Sequence, residues 1–291
     1  MKKWNVVLAS ALSLLLLGGC SKEAKAPEEG GTVTVGVAGE NEEKIWTEVS
    51  DKLKDENIDL KVQLFSDYVQ PNRAVQEGEI DMNAMQHVAY LLDYNKNNNA
   101  DLVPIGYTYI SAMVVYSDTV KDLKDLPQNA KVAIPNDATN GGRALLLLEQ
   151  AGVLEIDDNA GITPTVNDIT SNPKNIELVE MDAAQVPRAL KDSDAIVANT
   201  NYAVSAGFDP NDGIFSDTDD LDNLGTQYKN IIAVKSENKD NEVYKKIVKA
   251  YQSEDVEKKI KEISGNADQK AWTDNDQPEE DFHKLQEEGQ K

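Results

Sequence analysis

From residue 32 onward the chain alternates between two hydrophobic periodicities, and that alternation restricts it to one class of architecture. Ile58, Leu60, Val62 and Leu64 occupy every second position, as on a strand with one buried face, and Thr32–Val37 sets valines between smaller residues. Between these runs Ile45, Val49 and Leu53 recur every fourth residue, which lines one side of a helix. The same patterns predict strands at 102–106, 112–117, 131–134, 176–180, 195–198 and 230–234. Helices are expected near 87–97, 141–151, 183–191, 242–252 and 254–263. Strands spaced by helices make an α/β fold, because each sheet face needs an apolar helix stripe to cover it. No repeat is visible, yet two lobes can be built if the chain crosses between them twice, at the strands 112–117 and 230–234. That division assigns 31–112 with 231–272 to one lobe and 113–230 to the other.

The first thirty residues follow neither period. Lys2 and Lys3 precede a mostly apolar run from Val6 to Leu17, which ends at Leu17-Gly18-Gly19-Cys20. This reads as a secretion signal, residues 1–19, too short to span a membrane stably. Small residues before a cysteine make a lipobox, so Cys20 is expected to be acylated and to become the new N-terminus. It is the only cysteine, which excludes an internal disulfide. A diacylglycerol supplies the two chains that durable anchoring requires. Residues 21–30 hold nothing that could build a core and read as a tether reaching roughly 35 Å. A globular body held at the extracytoplasmic face of the cell membrane is the expectation.

The charge is −23, and removing residues 1–19 takes two lysines and no acid, which leaves −25. So acidic a surface argues against nucleic acid and against adsorption to anionic lipid. Catalytic signatures are missing: there is no Gly-x-Ser-x-Gly elbow, P-loop or dinucleotide fingerprint. Neither a cofactor nor a metal is expected. Only His87 and His283 are present, without partner ligands, and the acidic stretch Asp217–Asp222 has Asp222 where a calcium loop needs glycine. The segment 209–225 is therefore expected to be a solvated acidic loop, and residues 273–291 an acidic tail outside the fold.

One segment suggests binding. Val132-Ala133-Ile134 runs into Pro135-Asn136-Asp137-Ala138-Thr139-Asn140 and then into a helix expected near Gly141, with Arg143 in its first turn. The free N–H groups of a helix start attract an anion, and a cation there needs compensation. A bound carboxylate would supply it, as would a salt bridge at the protein surface, and these residues alone do not choose. His87, at the start of the expected helix 87–97, is most simply structural or exposed.

Taken together, several segments resemble the methionine-binding lipoproteins of ABC importers, the NlpA-type lipoproteins. They are Phe65-Ser66-Asp67-Tyr68-Val69-Gln70-Pro71-Asn72, Gln86-His87 with Tyr90, and Ile134-Pro135-Asn136-Asp137 through Gly142-Arg143 and the leucines 145–148. Asn172-Pro173-Lys174-Asn175, Ala184-Gln185-Val186-Pro187-Arg188, Ala198-Asn199-Thr200-Asn201-Tyr202-Ala203 and Tyr228-Lys229-Asn230 complete the set. The resemblance spans residue 32 to Trp272. It implies a two-lobed type II periplasmic-binding-protein fold with a ligand cleft between the lobes. It further implies a small-molecule solute, methionine or a close relative, and permease and ATPase partners. By the same resemblance Arg143 holds the solute's α-carboxylate, Asn199 and Asn230 bind its polar groups, and Tyr68, Met85, His87 and Tyr90 line the side-chain pocket. Met85 stands where the family commonly has phenylalanine, and Ser111-Ala112 where a bulkier pair commonly ends in proline. A methionine-containing dipeptide or another amino acid is the rival solute. A surface adhesion lipoprotein is the rival class.

Overall fold

The computed structural model describes residues 31–218, 221 and 224–289. The expected secretion signal, Cys20 and the tether lie outside the described residues. Chain order begins β1 (Thr32–Ala38), α1 (Glu40–Leu53), β2 (Asp59–Phe65), α2 (Val69–Glu77), β3 (Met82–His87), α3 (Val88–Asn98), β4 (Leu102–Tyr107) and β5 (Tyr109–Ser111). It continues with β6 (Met113–Tyr116), β7 (Lys131–Pro135), α4 (Ala138–Gln150), β8 (Glu155–Ile156), β9 (Ile169–Ser171), β10 (Glu177–Met181), β11 (Ala195–Asn199), α5 (Thr200–Ser205) and β12 (Phe215–Ser216). The chain then adds β13 (Asn230–Lys235), α6 (Glu242–Tyr251), α7 (Glu254–Ile263), β14 (Asp268–Lys270) and α8 (Pro278–Glu288).

Two five-stranded sheets result, ordered β2-β1-β3-β13-β4 and β10-β7-β11-β6-β12. They share a plan. Three parallel strands are followed by one strand antiparallel to both its neighbours, β13 in the first sheet and β6 in the second. Each of these two is the first strand the chain forms in its sheet after crossing from the other. In the second sheet Met113, Val115, Val132, Ile134, Ala195 and Val197 pack on one face. The alternate residues Val114, Tyr116, Ala133, Ile196 and Ala198 pack on the other. Strands buried on both sides carry unbroken apolar runs, which is why they were readable from sequence.

Three expectations change. First, the acidic end is not a tail outside the fold: α8 lies on the first lobe, with Phe282 buried and Leu285 packed beside it. Tyr107 donates to Asp281 over 2.8 Å, and Lys239 pairs with Glu279. Two apolar residues three apart among so many acids are too narrow a stripe to register as periodicity. Second, Leu221, Leu224 and Tyr228 join the core of the first lobe, so the chain leaves the second lobe before residue 221 rather than at 230. Third, 186–192 is a 3₁₀ helix rather than an α-helix.

The central strand β3 escaped prediction because it buries polar residues. Asn83 and Gln86 lie with Asn72 of α2 in a closed amide cluster. Asn72 donates to Gln86 over 2.7 Å, and its own oxygen accepts from Asn83 at 2.8 Å and Gln86 at 2.6 Å. Gln86 also donates to Asn83 over 2.8 Å. Such a cluster is tolerable in a core only because its members satisfy one another. It also holds the backbone on which Met85 and His87 stand.

Candidate functional site

The two lobes meet across a cleft with about 440 Å³ of empty space, part of it open to solvent. All seven residues singled out for the ligand line it: Tyr68, Met85, His87, Tyr90, Arg143, Asn199 and Asn230. Gln86, Tyr109, Ser111, Ala112, Asn140, Thr200 and Asn201 complete the wall. The strand ends deliver them. His87 closes β3, Asn230 opens β13 directly opposite it in the antiparallel register, and Asn199 ends β11.

The Arg143 region differs from expectation. Helix α4 starts at Ala138, three residues earlier than Gly141, so Arg143 sits in its second turn. Its N-terminus is already capped, because the Asp137 carboxylate accepts the Asn140 backbone N–H at 2.9 Å and also binds the Asn140 side chain. Gly141 and Gly142 serve packing instead. A Cβ on Gly141 would lie 2.8 Å from the Pro135 carbonyl oxygen, and one on Gly142 2.8 Å from Thr163 Cα. The glycines let α4 press against the end of β7 and the segment beyond β8.

Arg143 has its compensating charge within the protein. Its Nε donates to Asp217 over 2.6 Å, both side chains being nearly buried, and Nη2 donates to the Ser111 carbonyl over 2.9 Å. The guanidinium also lies 4.3 Å from the Tyr228 ring centroid. Asp217, placed by sequence in a solvated acidic loop, is fixed by accepting the Met113 N–H at 2.9 Å. A guanidinium has five N–H groups, and these contacts use two of them. The other three find no hydrogen-bond partner among the described residues.

His87 is held as a neutral donor. Its Nδ1 accepts the Tyr90 N–H at 3.1 Å, so Nε2 carries the proton, 3.3 Å from Asn140 Oδ1. Burial, and then the nearby Arg143 charge, push its pKa down to about 3. Asn140 Oδ1 also accepts from Asn199 Nδ2 at 2.7 Å. That leaves Asn199 Oδ1 buried with no hydrogen-bond partner among the described residues. Tyr68 and Tyr90 form an aromatic wall with ring centroids 6.0 Å apart, and Tyr68 also packs 4.7 Å from Tyr202.

The lobes touch through this site. The Tyr68 hydroxyl donates to Asn201 over 2.6 Å, and Thr200 donates to the Ala112 carbonyl over 2.6 Å. Asn201 is therefore a bridge between lobes, and the N-cap position of α5 belongs to Asn199.

The profile of the family described as NlpA lipoprotein matches residues 33–272. The chain belongs to the NlpA lipoprotein family. The D-methionine-binding lipoprotein MetQ of Escherichia coli (strain K12) is 38% identical over 275 residues, covering 93% of this chain and 98% of that protein. Protein PG110 from Staphylococcus aureus superposes with a TM-score of 0.81 at 39% identity, over 88% of this chain and 99% of the other. A nutrient binding protein from Burkholderia cenocepacia bound to methionine gives 0.78 at 42% identity, over 82% and 100%. The two-lobed fold of this NlpA lipoprotein is thus shared with solved solute-binding proteins. Sequence reasoning missed Asn140 and Asp217. The first lay within a motif that carries the resemblance, where Asn136, Asp137, Thr139 and Asn140 gather before a leucine-rich helix. Nothing local marked the second.

Proposed function

We propose that this NlpA lipoprotein captures methionine and delivers it to the permease and ATPase of an ABC importer, as a carrier rather than a catalyst. The carrying observation is the pairing, in one cleft, of Arg143 donors and an Asn199 Oδ1 acceptor that find no partner among the described residues. An α-amino acid presents the complement, a carboxylate beside an ammonium. Met85, Tyr68 and Tyr90 offer the polarizable and aromatic surface that suits a thioether. A D-methionine-binding relative and a solved relative bound to methionine support the same solute. Small residues at Ser111 and Ala112 favour a second reading, in which the cleft also admits a dipeptide such as glycyl-methionine.

Calorimetric titration of protein unfolded, dialysed and refolded to strip carried solute should show one methionine bound per chain. Asn199→Ala should weaken it by about tenfold or more, since the ammonium loses its acceptor. A wild type that binds neither methionine nor glycyl-methionine would sink the reading.

We further infer that a lipid on Cys20 holds the protein at the extracytoplasmic face of the membrane, which its acidic surface alone would not do. Cys20→Ser should leave either soluble protein or uncleaved precursor. A Cys20→Ser chain cleaved before residue 20 and still carrying lipid contradicts the inference.

A further inference from the structure

We propose that Asp217 is a specificity-determining residue: by neutralising Arg143 from behind, it makes the cleft select zwitterions and reject simple carboxylates. The inference rests on the amino-acid reading of this same site and deepens it. Among the described residues Arg143 is the only charged side chain in the cleft wall, since His87 is held neutral by the Tyr90 N–H at its Nδ1. Asp217 does not line the cleft, yet its carboxylate lies 2.6 Å from the guanidinium and is shielded from water along with it. The pair is therefore electrically spent before any solute arrives. Asp137, bound to Asn140 at the wall, adds charge of the same sign as Asp217.

A carboxylate entering alone must leave water and add net negative charge to a site already balanced. A solute that brings its own ammonium adds none, and Asn199 Oδ1, without a partner among the described residues, stands to receive it. Hydrogen bonding to Arg143 thus supplies affinity for any carboxylate, whereas Asp217 decides which carboxylates can use it. Asp217 acts through Arg143 and is a positioning and charge-balancing residue, touching no solute itself.

The test compares methionine with its desamino analogue, 4-(methylthio)butanoate, by calorimetry on wild type, Asp217→Asn, Asp217→Ala and Asp217→Glu. Wild type should favour methionine by at least a hundredfold. In Asp217→Asn or Asp217→Ala that ratio should fall tenfold or more, whatever happens to absolute affinity, while the charge-conserving Asp217→Glu keeps it. A purely structural role would weaken both solutes in parallel and leave the ratio unchanged, which overturns the proposal. Wild type that binds both solutes equally overturns it without any variant. Wild type that binds no amino acid at all overturns the functional reading and this inference together, and is recognisable as that distinct outcome.

Discussion

Arg143→Ala is expected to reduce methionine affinity by about thirty- to several-thousand-fold. Truncating one member of a desolvated, hydrogen-bonded charge pair costs roughly 2–5 kcal/mol, at about 1.4 kcal/mol per decade of affinity. The structure adds a second consequence. Without Arg143 the Asp217 carboxylate stays nearly buried, with the Met113 N–H its only remaining support among the described residues. An orphaned buried charge destabilises by about 3–5 kcal/mol, so the variant should also unfold at lower temperature. The double substitution Arg143→Ala with Asp217→Ala separates the two effects. It removes both charges, so it should recover much of the stability and none of the binding. Thermal unfolding beside calorimetry checks both. Arg143→Ala that binds methionine as tightly as wild type means the site is wrongly assigned.

Glu42→Gln is expected to stabilise the protein in alkaline solution and to do little near pH 5. Glu42 of α1 is buried, and its Oε2 has no hydrogen-bond partner among the described residues. Burial first, and Asp268 of β14 second, raise its pKa to about 8, while the Tyr109 hydroxyl of β5 acts the other way. Tyr251 of α6 faces the same group. Asp268 is itself raised to about 7, by burial, and accepts a hydrogen bond from Ser111. A carboxyl whose folded pKa lies above its unfolded one contributes full stability below the unfolded value, near 4.5 for Glu42, and loses it as pH climbs through about 8. Because the two acids interact, they ionise as a pair in this window. At about 1.36 kcal/mol per pKa unit, the rise from 4.5 to about 8 makes the ionisation penalty that glutamine removes on the order of 5 kcal/mol above pH 8. At roughly 2–4 °C per kcal/mol for a chain of this size, the melting temperatures should separate by about 10–20 °C. His87 works in the opposite sense. Its lowered pKa means stability that is intact above 6.5 and lost toward about 3, so measurements between pH 6.5 and 9 isolate the acid pair. Wild-type and Glu42→Gln melting curves that stay parallel from pH 5 to 9 would show that Glu42 does not titrate there.

The buried acids lie close to the cleft. Ser111 donates through its hydroxyl to Asp268 and accepts through its carbonyl from Arg143. The first lobe's interior and the second lobe's guanidinium therefore share one residue, at the point where the chain first crosses between lobes.

The sequence by itself determined the α/β class and most element positions, because these depend on periodicity within a few residues. Val132-Ala133-Ile134 reads as a doubly buried strand with no knowledge of its neighbours. Of the seven cleft residues, Arg143 alone was suggested by its own segment, and the others were legible through a family resemblance, since no period marks Asn199 or Asn230 as facing a solute. What needed the tertiary structure were the partnerships between distant residues. Asp217 is one acid in an acidic loop until folding sets it against Arg143, 74 positions away. Asn72, Asn83 and Gln86 look like exposed polar residues until each is seen to satisfy the others. Phe282 looks stranded in an acidic tail until α8 lies on the first lobe. Local hydrophobic pattern records which face of an element is buried. It carries no information on which charge or amide waits on the other side, because that depends on how the elements are packed in space.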